Sequence, residues 1–159
     1  MRVGWGFDAH AFGGDRPVVL GGVFVGGEKM IAATSDGDVV AHAIADALLG
    51  AAALGDLGAL YPSSDPAWEN VASLDVLLTD VVSRVHHAGW LVEHVDVTVI
   101  AESLRVSPFR EAIRLGVAGA VGLRIESVSV KATSTDGMGF MGRDEGIAAA
   151  AVVVIGPGH

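Results

Sequence analysis

Cysteine is absent from the 159 residues. That excludes a disulfide framework and any thiolate metal site, so a bound metal must be held by His, Asp or Glu. Aromatic residues are scarce, at 6%, so a core must be built from Ala, Val, Leu and Ile. The apolar share of 51% is ample for that and argues against a disordered chain. So apolar a small protein also suggests burial at an oligomer interface. Positive charge is in short supply: Lys29, Lys131 and eight arginines stand against 19 acidic residues, a net charge of −9. This argues against a nucleic-acid partner, whose phosphates need neutralising. A phosphorylated ligand would need cations, helix N-termini or backbone amides to hold it. The longest apolar run, Ile147 to Ile155, has nine residues, too few to span a membrane. No charged segment followed by an apolar one opens the chain, so the expectation is a cytoplasmic protein with no membrane partner.

The residues present read as one α/β domain over 1–159. RVGWGFDAHAF reads as a strand, Phe12 to Pro17 as a turn, and PVVLGGVFV as two short strands broken at Gly21-Gly22. Glu28 to Ser35 is expected to be loop. Asp36 to Leu54 carries two adjoining apolar rows four residues apart, the pattern of a helix, with Ser35 or Asp36 as its cap. Ser73 to Ala88 is a second helix capped by Ser73. Val92 to Ala101 is a strand, Ser107 to about Val121 a third helix with Pro in its first turn, and Ile125 to Ala132 a strand. Thr133 to Gly142 is loop, and Glu145 to Ile155 a strand buried on both faces. The expected architecture is a sandwich: a mixed sheet with helices on one side.

Asp8 and His10 lie two apart on the first strand, so their side chains share a face. They are either two ligands of one metal or a hydrogen-bonded pair at a strand end. His42, on the long helix, is a candidate third ligand; an ordinary pairing with Asp46 one turn on is the alternative. Asp46 or Asp38 could accept the imidazole's other N–H. His86 and His87 close an amphipathic helix and read as solvated; His94 and His159 join no constellation. Trp68 and Trp90 read as packing residues.

The segments GWGFDAHAF, TSDGDVVAHAIADALLGAAALGDLG, YPSSDP, KATSTDGMGF and GRDEGIA occur in this order between Arg2 and Ile155. They resemble the 2-C-methyl-D-erythritol 2,4-cyclodiphosphate synthase family of non-mevalonate isoprenoid synthesis. The resemblance implies a homotrimer with sites between subunits. It implies conversion of 4-diphosphocytidyl-2-C-methyl-D-erythritol 2-phosphate to the cyclic diphosphate and CMP, by attack of the 2-phosphate on the β-phosphorus. It implies zinc on Asp8, His10 and His42, and a second divalent cation, magnesium or manganese, with Asp136 as its ligand.

By matching positions, Thr34, Ser35, Asp56, Leu57, Gly58, Tyr61, Ser63 and Asp65 line the methylerythritol side, with backbone N–H groups near Ser35 at the helix start facing a phosphate. Ala101, Arg105, Val106 and Ser107, with Ala132, Thr133, Ser134 and Thr135, hold the cytidine diphosphate. Phe140 and Arg143 lie near the phosphates or the trimer axis, although Arg143 and Glu145 could equally form a structural ion pair. Thr34 and Ser134 match the positions that assist the transition state. The chain departs from the family around the substrate. Thr34 stands where the family has His, Ser63 replaces an acid, Leu104-Arg105 a Pro-Lys pair, Ser134 a Thr and Asp136 a Glu. Trp5 also departs, and the sequence offers no physical account of it. A catalytically weak zinc trimer that binds a phosphorylated or cytidine-containing metabolite is the alternative expectation.

Overall fold

A computed structural model describes residues 1–158; His159 lies outside the described residues. Its frame is a five-stranded sheet in the order β4-β1-β7-β5-β6. The strands are β1 (Arg2–Pro17), β4 (Met30–Ile31), β5 (Trp90–Ile100), β6 (Val128–Thr133) and β7 (Gly146–Pro157). Only β5 and β6 run parallel, so the sheet is mixed as expected. A two-residue-per-strand hairpin, β2 (Val19–Leu20) and β3 (Val23–Phe24), sits apart from it. The helices are α1 (Val39–Ala52), α2 (Leu57–Leu60), α3 (Thr79–His87), α4 (Arg110–Val121) and α5 (Gly139–Gly142).

The core lies between α1 and one face of β1, β7 and β5. Val39, Val40, Ile44, Leu48 and Leu49 of α1 meet Val97, Val99, Ile147, Val153 and Ile155, all fully buried. The approach is unusually close at β1. A Cβ on Gly4 would lie 1.8 Å from the carbonyl oxygen of Ala47, and one on Gly6 2.1 Å from that of Ala43. Glycine is therefore required at both positions for the helix to rest on the strand backbone. The opposite face of the sheet is uncovered: Val3, Trp5, Phe7 and Val152 are exposed, and the Trp5 and Phe7 rings stack 6.2 Å apart.

Several boundaries differ from the sequence reading. The expected turn at 12–17 continues β1, which passes a register irregularity between Phe12 and Arg16 and then pairs with β4 inside the expected loop. The long helix starts at Val39, with Asp38 as its cap rather than Ser35 or Asp36. Asp38 wins because its buried carboxylate accepts from Val40 and Ala41 of the helix and from Gly21 and Gly22 of the hairpin turn. Ser73 does not cap the second helix either; it opens a π-helical turn, Ser73–Leu78, that leads into α3. Ile125–Ser127 is a 3-10 turn before β6, and α5 forms within the expected 133–142 loop. β7 is buried on both faces only to Ala149; beyond that Val152 emerges on the uncovered face.

Candidate metal centre and adjoining pockets

Gly4, Gly6, Asp8 and His10 occupy one face of β1. The two glycines let α1 lie against the strand. Next to Ala43, whose carbonyl faces Gly6, the same face of the strand meets His42. Asp8 Oδ2 lies 2.9 Å from His42 Nδ1 and 3.1 Å from His10 Nε2. One ligand atom from each residue falls within 4.8 Å of the other two. The three side chains converge, so they could share one metal ion, and His42 pairs with Asp8 rather than with Asp46.

Hydrogen bonds at the far side of each ring orient it. His10 Nδ1–H donates to the carbonyl of Ala32 at 3.2 Å, which leaves Nε2 as the lone-pair nitrogen. That Nε2 is buried and makes no hydrogen bond; Asp8 is within ion-pair range but off the line that one needs. His42 Nε2 faces the Ser73 hydroxyl at 2.8 Å. An orphaned buried nitrogen and a one-oxygen, two-nitrogen donor set fit a divalent cation with three protein ligands and one open position. Burial acts to raise the Asp8 carboxyl, but the two imidazoles outweigh it and hold it well below the usual carboxylate range. The Asp8 carboxylate in turn pushes the His10 imidazole up.

Two expected supports act elsewhere. Asp38 does not reach His42; it is wholly buried as the cap described above, and desolvation raises its carboxyl against the N–H donors of Gly22, Ala41 and Gly21 that lower it. Asp46 does not reach His42 either. It accepts from Leu57 N at 2.7 Å and so ties the head of α2 to α1. The N–H groups expected near Ser35 are not a helix start: Asp38 already accepts those of Val40 and Ala41. Ser73 was missed as the residue behind His42. Its place before an amphipathic helix made it look like a cap.

The triad opens on a cavity of about 140 Å³ lined by His10, Thr34, Ser35, His42, Leu57, Tyr61, Ser63, Trp68 and Leu77. Thr34, Ser35, Leu57, Tyr61 and Ser63 are thus gathered as expected. Trp68 is a wall of this cavity rather than packing alone; its ring meets Tyr61 edge-on at 4.9 Å, and its Nε1–H is buried without a partner. Tyr61 donates to Asp80, which also accepts from Arg84 Nε at 2.8 Å. Asp56 and Asp65 cap their own short turns, accepting from Ala59 N and Ala67 N. Gly58 is exposed beside Asp56.

A second hollow of about 210 Å³ gathers Ala101, Arg105, Val106 and Ser107 with Ala132, Thr133 and Ser134. Paired positions Ala9, Ala148, Ile100 and Thr133 run across the sheet, so both hollows belong to the same end of it. They are separated by β7 and β5: β1 and β6 are three strand spacings apart, roughly 14 Å. Thr135 donates to Met138 O, and Ser134 to Asp136 Oδ1 at 3.3 Å. Asp136, at φ 52°, stands in no ligand cluster among the described residues. Phe140 lines a third hollow with Ala9, His10 and Met141. Arg143 forms the ion pair with Glu145, at 2.8 Å.

A mixed sheet that carries an Asp-His-His triad beside a small open pocket defines a class: α/β proteins with three side chains placed to hold a divalent metal. Comparison with known proteins narrows it. The chain belongs to the YgbB family, which matches residues 1–156. It is 48% identical over 155 residues to the 2-C-methyl-D-erythritol 2,4-cyclodiphosphate synthase of Escherichia coli O6:K15:H31, covering 98% of this chain and 97% of that one. The bifunctional IspDF of Campylobacter jejuni superimposes with a TM-score of 0.92 at 40% identity, covering 97% of this chain but only 42% of that longer polypeptide. A synthase solved in its CDP-bound form matches with a TM-score of 0.88 at 28% identity, over 98% of this chain and all of that one.

Proposed function

We propose that this chain converts 4-diphosphocytidyl-2-C-methyl-D-erythritol 2-phosphate into 2-C-methyl-D-erythritol 2,4-cyclodiphosphate and CMP. The observation that carries the proposal is the convergence of Asp8, His10 and His42 on the mouth of the Thr34–Ser63 pocket, in a chain 48% identical to a synthase of that name. The nucleophile is an anionic phosphate already, so no strong base is needed. Positioning and charge stabilisation suffice.

Asp8, His10 and His42 would hold zinc, which supplies a Lewis acid and charge neutralisation at the diphosphate. Leu57, Tyr61, Ser63 and Trp68 form the walls that fold the methylerythritol chain toward the triad, and Asp56, Gly58 and Asp65 stand at their rim. Thr34 and Ser35 each bring a hydroxyl donor. In the second hollow, Ala101 to Ser107 with Ala132 to Thr135 would grip the cytidine diphosphate, and Arg105 offers it a cation. Ser134, whose hydroxyl lies 3.3 Å from Asp136 Oδ1, would turn to the transferred phosphoryl group, and Asp136 would take magnesium or manganese largely through the substrate's own oxygens. Phe140 and Arg143 border the phosphate side.

We read the site as completed between subunits of a homotrimer, as the family resemblance implies, and the uncovered Val3, Trp5, Phe7 and Val152 face supports this. No helix among the described residues is long and apolar enough to cross a membrane, in keeping with a cytoplasmic enzyme. The test is incubation of purified protein with the substrate, zinc and magnesium, followed by phosphorus NMR. Cyclic diphosphate and CMP are expected. Tight CDP binding with no turnover would leave only a metabolite-binding trimer, and release of free phosphate would mean a hydrolase.

A further inference from the structure

Behind His42, away from the pocket, lies a short chain of polar groups that the proposed chemistry does not use. The Ser73 hydroxyl is 2.8 Å from His42 Nε2 and 2.6 Å from Asp36 Oδ1. The other oxygen of Asp36, Oδ2, accepts from the backbone N–H of Ser73 at 2.9 Å. Asp36 is thus clamped to Ser73 twice and is held in place by its own N–H, which donates to Val71 O at 3.1 Å. Ser73 is wholly buried, and His42 nearly so.

The direction of each bond follows from what the groups can do. Ionised Asp36 only accepts, so the Ser73 hydroxyl donates to it. The hydroxyl oxygen is then left to accept, and the group that faces it is His42 Nε2–H. Ser35 Oγ stands nearby at 3.4 Å, a weaker contact. Without a metal, Nδ1 stands 2.9 Å from the Asp8 carboxylate and can donate to it; a cation held by the triad would take the Nδ1 lone pair instead, and the ring proton then belongs on Nε2, where the Ser73 oxygen receives it. Ser73 caps no helix end, although it begins a helical turn. The same hydroxyl lies 3.3 Å from Ser35 Oγ, longer than its contacts with Asp36 and His42.

We infer that Ser73, clamped by Asp36, is a positioning residue for the metal ligand His42. It fixes the tautomer and the ring plane, and Asp36 strengthens its acceptor oxygen. Asp36 and Ser73 thereby act as a carboxylate–hydroxyl–imidazole relay, a hydroxyl-lengthened form of the carboxylate–histidine pair found behind many metal ligands. This rests on the reading of the triad as a metal site. It also ties the π-helical turn at the head of α3 to the metal, so that α1, β1 and α3 meet at one cation.

The experiment measures zinc affinity of the purified protein by competition with a chromophoric chelator, for wild type, Ser73→Ala, Ser73→Thr and Asp36→Asn. Thermal unfolding of each metal-free protein is recorded alongside. Loss of 10- to 100-fold in affinity is expected for Ser73→Ala, the range for removal of such a partner, with a several-fold loss for Asp36→Asn. Ser73→Thr, which keeps the hydroxyl, recovers most of the affinity. Cobalt substituted for zinc should show an altered visible spectrum in Ser73→Ala, which a purely structural serine would not produce. Affinity within twofold of wild type in folded Ser73→Ala overturns the inference. If that variant does not fold, the same result in Asp36→Asn overturns it. Wild-type protein that binds no zinc would instead remove the metal reading itself.

Discussion

Gly6→Ala is the substitution that most directly tests how the triad is built. The added Cβ would sit 2.1 Å from the Ala43 carbonyl oxygen, where real Cβ atoms essentially never come closer than 3.0 Å. Strand and helix must therefore separate locally by about 0.9 Å or more, because both atoms in the clash belong to backbone or are fixed to it. Asp8 and His10 follow Gly6 on β1, and His42 precedes Ala43 on α1. The two halves of the triad are thus carried apart by a similar distance. Metal–ligand bonds tolerate roughly 0.2 Å of departure from ideal lengths of about 2.0–2.2 Å. The expected result is a loss of at least about tenfold in zinc affinity, together with an overpacking cost of about 1–3 kcal/mol in urea unfolding. Gly50→Ala is the control. It lies on the same helix, and a Cβ there meets nothing within 4 Å. It should raise stability by about 0.5–1 kcal/mol and leave zinc affinity alone. Wild-type zinc affinity in Gly6→Ala would refute the argument that the close strand–helix approach sets the ligand spacing.

His42→Ala should purify with substoichiometric zinc while keeping its fold, read by metal analysis and circular dichroism; stoichiometric zinc would contradict the triad. Asp38→Asn places an amide where four backbone N–H groups point at a buried carboxylate, and should cost about 2–4 kcal/mol in chemical unfolding. Thr34→His should raise turnover, since a cation would then face the phosphates from the pocket that Thr34 lines; an unchanged rate in the phosphorus NMR assay removes that role. Tyr61→Phe tests a pH window. The Tyr61 hydroxyl, then Arg84, hold the Asp80 carboxyl below its usual range, so its bonds stabilise the fold above the unfolded value near pH 4 and are lost as pH falls through the folded one. Because Asp80 is 45% exposed, the variant should lose only about 0.5–1 kcal/mol at pH 7. That difference should shrink in unfolding measured below about pH 4.

The layered architecture was legible because its signals are periodic. Two apolar rows marked α1, and alternation marked β5 and most of β6, although it ran back into the 3-10 turn at Ile125–Ser127. The misread boundaries are those where a side chain serves a partner distant in sequence. Asp38 looked like one acid of two at a helix start, but the Gly21-Gly22 turn that selects it lies 16 residues upstream. Ser73 looked like a cap because nothing local distinguishes a serine that bonds to the next backbone N–H from one that bonds to an imidazole. β1 looked shorter than it is because Gly13 and Gly14 suggested a turn, whereas pairing with Ile31 carries the strand past them.

The site was legible in its ligands and not in what spaces them. Asp8 and His10 could be grouped by the two-residue period of a strand, and His42 by its place on the strongest helix. The same period runs backwards through Gly6 and Gly4, and these were left unread because a glycine shows no chemistry. Yet the run Gly-x-Gly-x-Asp-x-His is a single face that changes task along its length. Where the side chain is a hydrogen atom, the helix rests on the strand at Ala43, Ala47 and Ala51. Where side chains resume, they are the ones that meet His42. The intervening residues, Val3, Trp5 and Phe7, turn to the other face and stay exposed. One strand thus seats the helix and supplies two members of the candidate triad on one side, and leaves an exposed apolar surface on the other. A one-residue slip of β1 would send Asp8 and His10 to the exposed apolar face and the aromatic rings into α1, so the register that buries the glycines is the register that assembles the candidate metal centre.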